Sequence, residues 1–282
     1  MISSAESGYR SSGLKRHGYL AVIALLLAAS LCLLPACSRE SAGVVVAGST
    51  SVQPYAEKLA EEYALLHPDK IIDVQGGGSS AGITAVESGT ADIGMSSRNL
   101  KESELHLWSV EIAKDGLAII VNPGNPVSGL TLEQLRSVYT LDIVNWSQLG
   151  GPDAKIHIIT REEGSGTRSA FEELVMAGLR ITPKAIVQDS NGAVRQLVAD
   201  DPDSIGFISL GLVAVGAKPV KAITLDGVAA TSDNVINGSY SLYRPFLFVT
   251  TGEPEGLVKE YIDYVRSPDG QRLLAAEGLI PE

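Results

Sequence analysis

The sequence predicts an α/β fold with helices packed on mainly parallel strands. Its 282 residues are enough for one large domain or two smaller ones with cores of their own. Apolar residues make up 45% of the chain and charged residues 20%, which is typical of a globular protein. Short β-branched runs alternate with helical segments along most of the chain. This alternation favours parallel strands that are covered by helices on both faces.

The first series of elements is bounded by clear stop signals. Pro68 follows the first helical segment and cannot continue it, and Gly89 stands where the left-handed residue after a helix belongs. The predicted strands are 44–47, 71–74, 91–95 and 117–121, and the predicted helices are 52–66 and 81–88.

A second series follows the proline- and glycine-rich stretch 123–126, which is the best candidate for a domain boundary. Thr131 is predicted to cap a helix, with Glu133 and Gln134 in its first turn. The further predicted strands are 156–159, 185–187, 205–208 and 246–250, and the further helices are 169–177, 192–199 and a closing helix at 255–266.

The amino terminus has the pattern of a secretory signal. Three basic residues precede an apolar run at 19–34, which is short for a membrane span. The run ends in Leu34-Pro35-Ala36-Cys37, which resembles a bacterial lipobox. We therefore expect residues 1–36 to be removed and 37–42 to form a tether lipidated at Cys37. An ordinary signal cleavage and an uncleaved anchor are the alternatives.

Composition excludes several classes of function. The net charge is −11, and no basic stripe for nucleic acid is present. Cys32 lies inside the signal, so the mature chain would keep one acylated cysteine, with no disulfide and no cysteine-based metal site. Neither a phosphate-binding loop for nucleotides nor a zinc-protease motif occurs, and we expect no cofactor and no metal.

Small hydroxyl residues recur where predicted strands end. A helix N-terminus offers free N–H groups and a partial positive charge, and glycine lets the backbone come close to a ligand. Parallel sheets bring such junctions to one edge. A single serine there is usually only a helix cap, but several of them together indicate an anion site, with the glycines 76–78 approaching an oxyanion. The stretches are 48–51, 78–80, 96–98 and 164–167.

Arg161 is the candidate for the charge at this site, with Arg168 nearby. In an extended chain Arg161 and Glu163 share a side, so their pairing would orient the guanidinium towards a ligand. The alternative is a surface arginine that pairs with Glu162 or Glu163.

These motifs resemble those of the phosphate-binding proteins of bacterial phosphate ABC transporters. The likeness covers G-S-T-S-V-Q-P (48–54), G-G-G-S-S (76–80), A-D-I-G-M-S-S-R (91–98) and R-E-E-G-S-G-T-R (161–168), and it continues at 190–194, 205–211 and 243–246. It implies a two-lobe periplasmic-binding-protein-like fold of type II. Each lobe would be a mainly parallel sheet flanked by helices, and the lobes would be joined by a two-strand hinge. Lobe I would comprise 43–121 and 246–282, and lobe II 122–245.

The resemblance implies that the chain is a lipoprotein that captures inorganic phosphate between its lobes outside the cytoplasm. It would deliver phosphate to the permease subunits of the transporter, act as a monomer, and touch the membrane only through its lipid. The residues that match the family's phosphate contacts are Thr50, Ser51, Ser79, Ser97, Arg161, Ser165, Gly166 and Thr167.

Three roles in this pattern stay open. Glu163 would hold Arg161 by the family's pattern. Ser97 stands where the best-known branch has an aspartate that accepts the phosphate proton, so the proton acceptor is not assigned. Arg98 either contacts the ligand or pairs with Glu102 or Glu104 within its lobe.

Two other functions compete with phosphate capture. The same architecture could bind sulfate or molybdate. Alternatively, Gly78-Ser79-Ser80-Ala81-Gly82 matches the nucleophile elbow of serine hydrolases, with Ser80 as nucleophile and His106 or His157 as base. The motif falls early in the mature chain, however, and no oxyanion stretch precedes it, so we expect a binding protein rather than an enzyme.

Overall fold

The computed structural model describes residues 43–282, and one long curled sheet runs through them. The predicted signal peptide, Cys37 and the tether lie outside the described residues. The strands are β1 (Gly43–Gly48), β2 (Ile71–Gly76), β3 (Ile93–Ser96), β4 (Trp108–Val121), β5 (Gly129–Leu130), β6 (His157–Arg161), β7 (Ile186–Gln188), β8 (Ser204–Ser209), β9 (Lys221–Ala222), β10 (Thr224–Leu225) and β11 (Tyr243–Thr250). The α-helices are α1 (Gln53–Leu66), α2 (Ser79–Glu87), α3 (Leu132–Thr140), α4 (Gly166–Leu174), α5 (Asn191–Asp200), α6 (Ser232–Ile236), α7 (Gly256–Arg266) and α8 (Pro268–Ala276).

The main sheet has the strand order β2-β1-β3-β11-β4-β8-β6-β7, with β9 added beside β4. Its two ends are parallel, since β1 pairs with β2 and β3, and β6 pairs with β7 and β8. Its middle is antiparallel, because β11 and β4 pair with each other and with their outer neighbours in opposite directions. The parallel pairing predicted from the alternation of strands and helices is therefore correct at the two ends of the sheet and wrong in its antiparallel middle.

Local sequence signals explain where the helices begin. Thr131 and Gln134 form the predicted capping box at the start of α3. Ser165 and Ser190 cap α4 and α5 by accepting hydrogen bonds from backbone N–H groups three residues on. The helix predicted at 255–266 is correct as α7, but α8 follows it after a cap by Ser267, so it does not close the chain.

The strand predicted at 117–121 is only the last five residues of β4. The part before it carries Glu111, Lys114 and Asp115, which interrupt the apolar run on which the prediction depends. Pairing with β11 over eight residues stabilises this segment as a strand, although its local sequence does not favour one.

The two largest hydrophobic cores of residues 43–282 lie along the sheet, and two smaller buried clusters accompany them. The first core is built from segments 44–113 and 246–279 and includes Phe248 packed against Tyr261. The second core lies within 117–242, apart from a peripheral contact by Ile280, and contains Phe171 stacked on Phe207 with ring centroids 4.1 Å apart. Burial of this apolar surface is the main stabilising term in each half of the molecule.

β4 and β11 are the strands that pass from one core to the other. Between the two cores these strands are paired side by side, with Tyr243 opposite Gly116 and Arg244 opposite Asp115. The architecture confirms the predicted α/β fold of two halves joined by two strands. Across residues 43–282, every helix is too short or too polar to span a bilayer.

Candidate functional site

The first hydroxyl junction sits where β1 comes unusually close to α2. Gly48 has φ +137°, and a Cβ there would lie 3.0 Å from the Cα of Gly82. A Cβ at Gly82 would in turn lie 2.7 Å from the Cα of Gly48. These two glycines let the chain turn sharply after β1. The turn presents Thr50 and Ser51 just before the start of α1.

The predicted hydroxyl groups from distant segments meet in a buried cluster. Ser51 Oγ and Thr167 Oγ1 are 2.8 Å apart, although the residues are separated by 116 positions. Ser79 Oγ accepts a hydrogen bond from the Ser97 N–H at 3.1 Å, and the two hydroxyls lie 3.4 Å apart. Ser51, Ser79, Ser97 and Thr167 are each at most 1% exposed. Buried hydroxyls at this density indicate a site for a polar ligand.

Gly166 completes the cluster at the first turn of α4. A Cβ on this residue would lie 2.5 Å from Ser97 Oγ and 3.1 Å from Ser79 Cβ. The position therefore requires glycine because of its neighbours, since its φ is not positive. Ser165 is buried beside it, and its Oγ accepts the capping hydrogen bond from the Arg168 N–H.

Arg161, at the end of β6, is the cation of the cluster and is 1% exposed. Its Nη2 donates to Thr50 Oγ1 at 3.2 Å. Its Nε and Nη2 each donate to Glu162 at 2.9 Å, and further bonds go to the carbonyls of Gln188 and Asp189. Its buried Nη1 has no hydrogen-bond partner within residues 43–282.

The predicted pairing of Arg161 with Glu163 is wrong, because Glu162 takes that role. The strand ends at Arg161 and the chain turns at once, with the Ser165 N–H donating to the Glu162 carbonyl at 3.1 Å. Side-chain alternation therefore stops before Glu163, which is exposed. The alternative for Arg161 was correct in its pairing with Glu162 but wrong in placing the arginine at the surface, because the side chain is buried.

The glycine loop 76–78 differs from the expectation as well. The N–H groups of Gly77 and Gly78 donate to the Gly48 carbonyl at 2.8 and 2.9 Å, so they hold the loop to β1 rather than face a ligand. Gly78 has φ +92°, and a Cβ there would lie 3.3 Å from the Gly164 carbonyl oxygen. The loop is tight so that α2 can begin against the segment that follows β6. There the Ser80 N–H donates to that same carbonyl at 3.1 Å.

Arg98 is committed to an ion pair within its own half of the molecule. Its Nη1 and Nη2 donate to the two carboxylate oxygens of Glu104 at 2.7 and 2.9 Å, and Nη1 also donates to the Asn99 carbonyl. Burial acts to raise the pKa of Glu104, but hydrogen bonds from Arg98 and the Lys101 N–H outweigh it and hold the pKa below its ordinary value. Of the two arrangements left open by the sequence, the structure shows the pair with Glu104.

Two buried residues that the sequence analysis gave no role join the cluster. Asn191 Nδ2 donates to Ser51 Oγ at 2.8 Å, and Arg244 Nη2 donates to the same oxygen at 3.0 Å. Asp115 holds Arg244, with Oδ2 accepting from Nη2 at 2.9 Å. The available signals were a charged residue two positions before each of the apolar runs 117–121 and 246–250, and an asparagine directly after a capping serine.

The electrostatics of these pairs follow from burial. Burial raises the pKa of the Asp115 carboxyl, while Arg244 and Ser209 act to lower it. Burial also lowers the pKa of the Arg244 guanidinium. Asp115 opposes that shift, and Arg161 adds to it. The two guanidinium groups are thus close enough to repel, which favours an anion between or beside them.

The serine-hydrolase arrangement does not form within the described residues. Ser80 Oγ accepts a long hydrogen bond of 3.4 Å from Arg98 Nη2. His106 lies at the surface beside Glu87, and His157 pairs with Asp201 at 2.7 Å. Neither histidine is hydrogen-bonded to Ser80, so this serine has no base to activate it.

A cavity of about 800 Å³ lies apart from the hydroxyl cluster. Arg168, Arg180, Glu163 and Glu172 line it together with apolar residues. Its charges are balanced, and Arg168 pairs with Glu172 at 2.9 Å. The cluster, with its surplus of donors, is therefore the better candidate for an anion site.

Comparisons with known proteins agree with this geometry. A family model described as a PBP superfamily domain matches residues 35–269. The phosphate-binding protein PstS of Bacillus subtilis is 33% identical over 248 residues, which are 86% of this chain and 82% of that protein. PstS of Borreliella burgdorferi is 29% identical and covers 92% of this chain and 98% of its own.

Solved structures give the same result. A phosphate ABC transporter substrate-binding protein from Clostridium perfringens with bound phosphate has a TM-score of 0.81 and 42% identity, covering 85% of this chain and 99% of its own. An ABC-type phosphate transport receptor from Vibrio cholerae has a TM-score of 0.71 and 41% identity, covering 86% of this chain and all of its own.

Proposed function

The chain belongs to the PBP superfamily and, within it, to the phosphate-binding proteins PstS, and on this premise we propose that it captures inorganic phosphate for an ABC transporter. The observation that carries the proposal is the donor surplus of the buried cluster. Arg161 and several hydroxyls converge there. Within residues 43–282, no carboxylate is hydrogen-bonded to the hydroxyls of Thr50, Ser51, Ser79, Ser97 or Thr167. Such a set of donors is suited to an anion with several oxygens.

In this proposal Arg161 supplies the charge and its Nη1 is available to the anion. Gly166 contributes its backbone N–H at the start of α4, where the helix dipole favours negative charge, and Ser165 contributes its hydroxyl. The hydroxyls surround the remaining oxygens. The proposed phosphate contacts are Thr50, Ser51, Ser79, Ser97, Arg161, Ser165, Gly166 and Thr167.

The two cores correspond, in our proposal, to two lobes that close on phosphate. Contacts between segments of the two cores support closure: Ser51 reaches Thr167, Arg161 reaches Thr50, and the Ser80 N–H reaches the Gly164 carbonyl. The crossing strands β4 and β11 would be the hinge. The division into 43–121 with 246–282, and 122–245, stays a prediction.

Calorimetric titration of the purified mature chain with phosphate, sulfate and molybdate tests this function. We expect saturable binding of one phosphate per chain and much weaker binding of the other two anions. Sulfate or molybdate binding at comparable concentration would favour the general oxyanion receptor instead. An ester-hydrolysis assay on the same sample should show no turnover.

The extracytoplasmic location and the lipid anchor are part of the proposal. Cys37 lies outside the described residues, so its support is the lipobox-like sequence. Replacing Cys37 by serine should abolish acylation without affecting the fold, because the thiol is the attachment point. Fractionation of cells that make Cys37→Ser should find the protein released from the membrane. A variant that stays processed and membrane-bound would contradict the anchor.

The partners in this proposal are the permease subunits of a phosphate transporter, and the receptor itself is a monomer. Light scattering of the mature chain, with and without phosphate, measures the oligomeric state directly. Co-purification of the permease with the phosphate-loaded chain would support the delivery step, whereas a stable dimer would contradict the monomer.

A further inference from the structure

The orientation of the Asn191 amide is set by the backbone around it. Its Oδ1 accepts from the Ser209 N–H at 3.3 Å, so its Nδ2 must face the other way. On that side Nδ2 lies 2.8 Å from Ser51 Oγ and 3.4 Å from Thr50 Oγ1. Asn191 is 1% exposed, and it therefore serves the cluster as a donor.

Arg244 reaches the same hydroxyl from the strands that join the two halves. It lies on β11 opposite Asp115 on β4, and both side chains are at most 2% exposed. Asp115 Oδ2 accepts from Arg244 Nε at 3.2 Å and from Nη2 at 2.9 Å. Asp115 Oδ1 accepts from Ser209 Oγ at 2.8 Å. This fixed guanidinium then donates to Ser51 Oγ at 3.0 Å.

A count of lone pairs determines what Ser51 can do. A hydroxyl has one proton to donate and two lone pairs that accept. Asn191 and Arg244 each donate one hydrogen bond to Ser51 Oγ, so both lone pairs are used. Its third contact, with Thr167 Oγ1 at 2.8 Å, must then be a donation by Ser51.

We propose that Asn191 and Arg244 are positioning residues that fix the Ser51 hydroxyl as an obligatory donor, whose one proton turns from Thr167 Oγ1 to the anion when phosphate binds. This inference rests on the proposed phosphate function. Ser51 would face only an unprotonated phosphate oxygen, because it has no lone pair left for a phosphate proton. The protonated oxygen must therefore face another part of the site.

Ser97 provides the contrast. Within residues 43–282 its Oγ is hydrogen-bonded only to other hydroxyls, accepting from Ser49 at 2.8 Å and lying 3.4 Å from Ser79 Oγ. Hydroxyls can rotate and exchange the roles of donor and acceptor, whereas an amide nitrogen and a guanidinium cannot. Ser97 thus keeps the freedom that Ser51 has lost, and phosphate would be oriented with its protonated oxygen towards Ser97.

A double-mutant cycle on phosphate affinity tests this role. The variants are Arg244→Lys, Ser51→Ala and the two together, measured by calorimetry with inorganic phosphate. Lysine keeps a positive charge beside Asp115 but lacks the fork that reaches Ser51. Arg244→Lys should weaken phosphate binding about tenfold, and less than about twofold when Ser51→Ala is already present.

Arg195→Lys is the matched control. Arg195 is also a buried arginine, and it donates to the carbonyls of Leu212 and Lys218 rather than to the cluster. We expect it to change thermal stability without changing phosphate affinity. If Arg244→Lys does not fold, the cycle of Asn191→Ala with Ser51→Ala replaces it, with the same sign of coupling expected.

The outcomes separate the two proposals. A wild-type chain that binds no phosphate would overturn the proposed function. The positioning role alone would be overturned if the wild-type chain binds phosphate but Arg244→Lys and Asn191→Ala each weaken that binding by the same factor with Ser51 present and with Ser51→Ala.

Discussion

Replacing Arg161 by alanine is the sharpest test of the anion site. The guanidinium is 1% exposed and makes five hydrogen bonds, two of them to Glu162 and one to Thr50. Its Nη1 is buried without a partner within residues 43–282, so it is the nitrogen that we expect an anion to use. The substitution removes both the charge and this donor.

The size of the effect follows from these contacts. Hydrogen bonds to a charged group contribute about 1.5–3 kcal/mol each, and removal of one partner of a buried charge pair costs about 2–5 kcal/mol. For one anion held by Arg161 we take about 3–4 kcal/mol, which is a loss of about 140- to 700-fold in phosphate affinity at about 1.4 kcal/mol per decade. Arg161→Lys should recover only part, because an ammonium lacks the fork.

Stability changes must be separated from binding, since Glu162 also loses its partner. Its side chain is 30% exposed and can reach water, so we expect at most about 2–3 kcal/mol of destabilisation. Arg98→Ala is the matched control. Arg98 is 4% exposed and also grips one glutamate with two nitrogens, but that pair lies within the half that contains β3.

Calorimetric titration and denaturant unfolding of both variants distinguish a loss of phosphate binding from a loss of stability. Arg161→Ala should lose phosphate binding, whereas Arg98→Ala should lose stability and change the Kd by less than about threefold. Wild-type affinity in Arg161→Ala, or equal losses of affinity in both variants, would refute the assignment.

Three further outcomes are expected. Gly166→Ala should weaken phosphate binding by at least about tenfold, because its Cβ would lie 2.5 Å from Ser97 Oγ. Gly192→Ala, whose nearest neighbour is at 3.9 Å, should leave the Kd unchanged in the same titration. Ser97→Asp should raise the preference for phosphate over sulfate in competition assays by at least about tenfold, since a carboxylate can only accept; an unchanged ratio would contradict this. The pair of Arg98 with Glu104 should stabilise the fold fully above about pH 4.5 and lose its effect as the pH falls, because the pKa of Glu104 is lowered on folding. Unfolding curves of Glu104→Gln should therefore depend less on pH in that acid range, and an unchanged pH dependence would argue against it.

Much of the fold could be predicted because its signals are local. The capping box of Thr131 and Gln134 and the stop at Pro68 act within one turn of a helix. The hydroxyl residues at strand ends predicted a common edge, and Ser51 and Thr167 do meet there. The start of β4 was missed because charged residues interrupt the apolar run there, and Asp115 finds its partner Arg244 129 positions away in the sequence.

The sequence by itself determined which residue types stand at each strand end, since a helix start needs a cap and a tight turn needs glycine. Tertiary structure alone decided which of them touch. The chain turns directly after Arg161, so Glu162 rather than Glu163 becomes its partner. Asp115 meets Arg244 across 129 positions because β4 and β11 are paired in that register. Such pairings depend on how strands align and helices pack, and no local pattern of residues encodes that alignment.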